Sequence, residues 1–295
     1  MSVLILVLGL ATAAQADAFT VRDMRGREIT LPAAPRRIVS LVPSATEIIF
    51  AIGGEARLAG VTDFCDWPPD ARRKPRVGGM VAPSLEAIVA LTPDVVVATD
   101  EGNSHATLDQ LARLRIPVYV ANAHHLDDVM ALVGRLGELT GRSDAVPPLV
   151  DSLKARVRRV VDAVRPYPRP RVLYVLWPEP IIVPGRDGLV TELIDLAGGA
   201  SVTAAAAGAY PRLGLEAVVA AKPDVIILAR HGGDQTPTIR ATWDRLQAMP
   251  AIRAGRVHSV EGALLHRYGP RVVDGLEKLA RVIHPEARVA ASESR

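Results

Sequence analysis

An α/β protein of two similar lobes is what this sequence predicts, and three observations carry that expectation. Short apolar runs of strand length alternate with stretches of helical periodicity along most of the chain, the pattern of helices packed on a largely parallel sheet. The segment LEAIVALTPDVVVA (85–98) returns as LEAVVAAKPDVIILA (215–229), so one helix, Pro-Asp turn and buried strand occurs at comparable points of two halves. Between the halves a run with helical apolar spacing is followed at once by Pro166, Pro168 and Pro170, as suits a connector that must stop sharply. With 295 residues and 49% hydrophobic content the chain can build one large or two modest cores.

The elements follow in order. Val3 to Ala13 is an uncharged apolar run trailed by Ala14 and Ala16, which reads as a secretory signal over 1–16. Such a run is too short to span a bilayer, so the mature protein is expected to be exported, periplasmic and soluble. No cysteine stands at the cleavage point to carry a lipid. AFTVRDMRGREITL alternates apolar and polar residues about Arg25-Gly26, as a hairpin does. RIVSLV (37–42) is a buried strand, and Pro43-Ser44 opens a helix in which Ser44 and Glu47 form an S-x-x-E capping box. Strands near 57–62, 95–98 and 118–120 then alternate with helices at 85–91, 105–114 and 126–139, making an N-terminal lobe over 17–142.

The connecting helix and its proline joint occupy 143–168. Val150, Leu153, Val157, Val160, Val161 and Val164 fall at helical spacing, with Lys154, Arg156, Arg158 and Arg159 on other faces. The C-terminal lobe, 169–290, reads as strand 171–177, helix 189–197, helix 215–221, strand 224–228, helix 238–248 and a closing helix over 270–283. Two lobes joined this way suggest a ligand cleft between them.

Charge and motif content narrow the function. Thirty-five Lys and Arg against 32 Asp and Glu give a formal +3, and the basic residues are scattered. No basic stripe marks a nucleic-acid surface. None of G-x-S-x-G, G-x-G-x-x-G, G-x-x-x-x-G-K or H-E-x-x-H occurs, so a binding role is expected, with an enzyme on the same kind of scaffold as the competing class. The histidines are dispersed, and adjacent His124 and His125 do not face one metal from a regular element. Cys65, the only cysteine, excludes an internal disulfide and a cysteine zinc site and reads as a small buried hydrophobe.

Aromatics make up only 4% of the chain, which makes their positions informative. Phe64 and Trp67 lie in DFCDWPPDA, Trp177 ends RVLYVLW, and Tyr210 and Tyr268 sit in loops beside helix starts. Open α/β sheets bind ligands outside the carboxyl ends of their strands, and rings there suit a flat, partly apolar ligand. For Trp67, ahead of two prolines, the alternative is a plug of its own loop.

RIVSLVPSATEIIFAIGG, GVTDFCDWPPDA, VGGMVAPSLEAIVALTPDVVV and RYGPRVVDGLEKLARVIHP resemble the periplasmic binding proteins of ABC importers for cobalamin, iron siderophores and haem. The resemblance runs over nearly the whole mature chain. It implies two Rossmann-like lobes joined by a single long helix, a ligand between them, slight closure on binding, and a monomer that serves a permease dimer with its ATPase. It implies no cofactor and no metal.

Within that superfamily GVTDFCDWPPDA and GGMVAPSLE are most similar to the cobalamin binders, where an aromatic occupies the position of Phe64 and aromatics near Trp177 and at Tyr210 line the corrin site. Cobalamin is therefore the expected ligand, with Trp67, Met80 and Tyr268 completing the candidate lining. Met80 stands where a tryptophan is usual. Related haem binders place a ligating tyrosine where Gly79 stands, which disfavours haem, and a siderophore stays open. Glu86 and Glu216 open the two copies of the repeated helix, where the helix dipole stabilises a carboxylate by roughly 0.3 to 1 kcal/mol. The resemblance gives them a second reading, as a pair that docks on arginines of the two permease subunits.

Overall fold

The computed structural model describes residues 18–231, 243 and 249–289. The signal segment expected over 1–16, and all but Trp243 of the helix expected over 238–248, lie outside the described residues. Strands β1 (Phe19–Arg22) and β2 (Glu28–Leu31) pair antiparallel. Their turn is held by the buried Asp23, whose Oδ1 accepts from the Arg25 and Arg27 amides at 2.9 Å, while Gly26 supplies the positive φ of 76°.

The N-terminal sheet contains β3 (Ile38–Ser40), β4 (Leu58–Val61), β5 (Val95–Ala98) and β6 (Val118–Val120), all parallel, in the order β4-β3-β5-β6. Every residue of β3 and β5 is buried, as strands covered by helices on both faces must be. Helices α1 (Pro43–Ala51) and α4 (Leu126–Thr140) pack on one face, and α2 (Leu85–Ala90) and α3 (His105–Arg113) on the other. Helix α5 (Val146–Val164) then crosses to the C-terminal lobe.

There β7 (Arg171–Val175) leads into a hairpin of β8 (Trp177–Pro178) and β9 (Ile181–Ile182), followed by α6 (Leu189–Leu196), β10 (Ala200–Ser201), α7 (Leu215–Ala220) and β11 (Val225–Arg230). The lobe closes with α8 (Pro250–Arg253), β12 (Val257–Glu261), α9 (Ala263–His266) and α10 (Val272–Ile283). Its sheet is parallel in the order β10-β7-β11-β12. Both sheets therefore wind second, first, third, fourth, and each reverses its winding direction between its first and third strands, where a crevice forms.

The repeated segment has a shared architectural job. Asp94 Oδ2 accepts from the Arg36 and Arg37 amides at 2.7 and 2.9 Å, and its own amide donates to the Arg37 carbonyl at 2.8 Å. Asp224 repeats this on Arg171, at 2.9 Å through its side chain and 2.8 Å through its amide. The arginine in each case returns its Nε to the end of the repeated helix, to Leu91 at 2.8 Å and Ala221 at 3.1 Å. Each lobe thus pins the start of its third strand to the start of its first.

Helix α5 buries Leu153, Val160 and Val164, while Leu149 and Val150 pack against the cores of both lobes. Arg156 ties the helix to α10 through Glu277 at 2.8 Å and Asp274 at 2.5 Å. Two local expectations are corrected. The S-x-x-E box does not form: Val42 is the N-cap of α1 with no side-chain cap, because Pro43 starts the helix one residue early, and Glu47 is engaged elsewhere. Trp177 does not end β7, since the strand stops at Val175 and the chain folds back as a hairpin. No helix among the described residues is long and apolar enough to cross a membrane.

Candidate ligand-binding cleft

The carboxyl ends of β3, β5 and β6 converge at the seam between the lobes, and the segment after β12 faces them. A cavity of about 330 Å³ lies between. The N-terminal lobe supplies residues 42–44 after β3, Phe64 after β4, Met80, Thr99 and Glu101 after β5, and residues 121–123 after β6; the C-terminal lobe supplies Tyr210 and residues 266–268. Phe64 leaves 56% of its surface exposed at the mouth. The loop after β5 is fixed by Asn103, whose Oδ1 accepts from the Thr99 amide at 2.8 Å and whose Nδ2 donates to the Met80 carbonyl at 2.6 Å. Met80 reaches in over Gly102: a Cβ there would lie 2.1 Å from the Met80 methyl.

On the opposite wall His266 meets the hydroxyl of buried Tyr174 at 2.9 Å through Nε2 and stacks on His231 at 5.1 Å between centroids. Burial first, and then the neighbouring His231, push the His266 pKa down to about 3, so the cavity sees a neutral imidazole. Tyr210 is pushed up to about 12 by burial and by the Glu101 charge, which keeps its hydroxyl protonated.

Of the sequence-derived ligand candidates, Phe64, Met80, Tyr210 and Tyr268 line this cavity, and Tyr268 does so from a left-handed φ of 51°. Trp67 does not. The Arg271 guanidinium stacks on its ring at 4.5 Å, and the ring walls a neighbouring cavity. Trp177 is carried away by the β8–β9 hairpin, 42% exposed, with Nε1 donating to the Glu179 carbonyl at 2.9 Å. Glu86 and Glu216 are both exposed in the first turns of α2 and α7, and neither lines the cavity. Among the described residues there is no cluster of three or more His, Cys, Asp or Glu that could hold a metal ion.

The sequence reading missed a polar clamp across the seam. Glu47, on α1 and 4% exposed, accepts from Arg271 through Nη2 at 2.7 Å and Nε at 3.1 Å, with Arg267 at 3.8 Å. Arg267 also pairs with Asp66. Burial raises the Glu47 pKa, and the hydrogen bond and charge of Arg271 offset part of that rise. For Asp66 burial is outweighed by the bond and charge of Arg267, which hold it below the usual carboxylate range. A second tie joins α6 to α4: Glu192 Oε2 accepts from the Leu126 amide at 3.0 Å and lies 3.4 Å from His125 Nδ1. The signal for the clamp was available, since Glu47 is the one charge in an otherwise apolar helix, PSATEIIFA.

A family profile described as a periplasmic binding protein matches residues 38–262. An uncharacterized ABC transporter substrate-binding lipoprotein of Bacillus subtilis is 28% identical over 90% of this chain and 86% of its own length. A vitamin B12-binding protein of Vibrio parahaemolyticus is 27% identical over 81% of this chain and 86% of its own. Among solved structures, a periplasmic heme-binding protein from Pseudomonas aeruginosa superposes with a TM-score of 0.79 at 27% identity, covering 88% of this chain and 96% of that one. The relatives are solute-binding transport proteins, and such proteins work with a permease and an ATPase. With the profile spanning both lobes and the seam between them, the chain belongs to the periplasmic binding protein family, as an ABC-type substrate-binding protein of its vitamin B12, siderophore and haem superfamily.

Proposed function

We propose that this chain captures a corrinoid, cobalamin or a close relative, between its lobes and delivers it to the permease of an ABC importer, with export by cleavage after Ala16 and with Glu86 and Glu216 as the docking pair. One observation carries the reading: an interlobe cavity walled by Phe64, Met80, Tyr210 and Tyr268, whose one lining arginine among the described residues, Arg267, is already bound by Asp66 and Glu47. An entering ring meets apolar and aromatic surface, neutral polar groups and the Glu101 carboxylate. A corrin with an amide rim suits those walls. Ferric siderophores rich in carboxylate or catecholate would place unpaired anions against them, at a cost of several kcal/mol per buried charge.

Haem is the second reading, favoured by the Met80 thioether lining the cavity, a group that can hold haem iron. Its propionates hang on short arms at the ring edge, where Glu101 and a committed Arg267 are poor partners. Calorimetric titration of the mature protein with cyanocobalamin, haemin and a ferric hydroxamate tests the assignment. The expected result is one cyanocobalamin site per chain, with the ligand released unchanged. Silence toward cyanocobalamin together with a haemin Soret shift that Met80→Ala abolishes would move the assignment to haem. N-terminal sequencing of exported protein should begin at Asp17; a start at Met1 or Ser2 refutes the cleavage.

A further inference from the structure

Beside the ligand cavity lies a second one, of about 400 Å³, on the far side of Arg267, which lines both. Its walls come from Trp67 and Arg72 in the N-terminal lobe and from Glu261, the start of α9 and the flank of α10 in the C-terminal lobe. The first cavity is lined mainly by apolar groups; the second is cationic, with Arg72, Arg267, Arg271, Lys278 and Arg281 facing Asp66, Glu261 and Asp274. Two of those carboxylates are already engaged, Asp66 by Arg267 and Asp274 by Arg156, which stands outside the lining. Arg72 gives its Nε to the Asp66 main-chain oxygen at 3.3 Å and makes no salt bridge among the described residues. Lys278 is exposed and makes no ion pair among the described residues.

We infer that this second cavity holds an anionic appendage of the ligand: a phosphodiester with its attached base, hanging from a macrocycle that occupies the first cavity. The inference rests on the corrinoid reading above. A cavity of about 330 Å³ stands at the small end of the roughly 300–1,000 Å³ typical of drug-sized ligands, and a corrinoid with its nucleotide tail is larger than such a ligand. The overflow needs a neighbouring space of suitable charge, and the cavity across Arg267 supplies one. The partition is an ion pair, not packed core; Arg267 stays with Asp66 and Glu47, and the phosphate is left to the exposed Arg72 and Lys278 on the far side. Trp67, backed by the Arg271 guanidinium, offers a flat wall for the base.

Titration with cyanocobalamin and with dicyanocobinamide, which keeps the corrin ring and lacks the phosphodiester-linked base, tests this at low and high salt. Cyanocobalamin is expected to bind about tenfold tighter or more, and the gap should narrow as salt screens the exposed cations. Arg72→Glu with Lys278→Glu, both at exposed positions, should close the gap while dicyanocobinamide affinity and Tm stay unchanged. Equal affinity for the two corrinoids in the unmodified protein, or a gap that the double variant keeps, overturns the tail site and leaves the corrinoid reading standing. Binding of neither corrinoid overturns both.

Discussion

Glu47 shows how one residue type can satisfy two local logics. In S-x-x-E spacing it reads as a cap; in the folded chain its carboxylate joins α1 to α10 through Arg271. The misreading has a physical source, because a capping box and a buried ion pair both call for glutamate at the start of an apolar helix, and only the partner, 224 residues away, separates them. Glu47→Ala should destabilise by about 3–5 kcal/mol, since it strands buried guanidinium charge; a urea midpoint unchanged in the variant would contradict the clamp. His266 makes the second prediction. Its folded pKa of about 3 lies below the ordinary 6.5, so the folded state binds the proton more weakly than the unfolded chain. The stability it contributes is complete above pH 6.5 and is lost as pH falls toward 3, at up to about 1.4 kcal/mol per pH unit. His266→Gln keeps an acceptor for Tyr174 and should flatten that stretch of the Tm–pH curve; an identical curve would assign the acid sensitivity to other groups.

Elements were most legible where burial is symmetric. The all-apolar strands of both sheets and the repeated helix could be read directly, because helices on both faces leave no alternation to decode. The β8–β9 hairpin and β12 were not, since a strand such as VHSVE mixes polar and apolar residues and a two-residue pairing has no period. The repeat itself divides in two. Its aspartates anchor the starts of the two central strands of each sheet, so Asp94→Ala and Asp224→Ala should each cost about 1 kcal/mol, the net worth of hydrogen bonds that water can replace, measurable by chemical denaturation of either single variant. Among the described residues its glutamates anchor nothing: Glu86 and Glu216 are exposed and make no ion pair there. Glu86→Lys with Glu216→Lys should accordingly leave folding and ligand affinity intact and abolish uptake through the importer, as matched charges on both lobes steer a twofold partner. Normal uptake would return both to the helix dipole.

At the scale of the molecule, two sheets of the same winding order face each other across a seam closed by the Glu47 clamp and the Glu192 tie. Of this, the α/β class with parallel sheets followed from periodicity, whereas the winding order, the clamp and the tie did not, and the cavity followed only in part. Four of the six candidate ligand residues meet there, and the two tryptophans leave because one stacks on an arginine and the other rides a hairpin, neither of which spacing reveals. The stripe of α5 that carries Leu149 and Val150 belongs to both cores at once. Melting either lobe strips these side chains of half their cover, so the helix that separates the lobes in space also makes them thermodynamically one body. Heating should then yield a single calorimetric transition with equal van't Hoff and calorimetric enthalpies, and a chain divided at Arg165 should leave both halves prone to aggregate, each exposing the apolar surface the other had shielded; two resolved transitions would mean the lobes unfold independently.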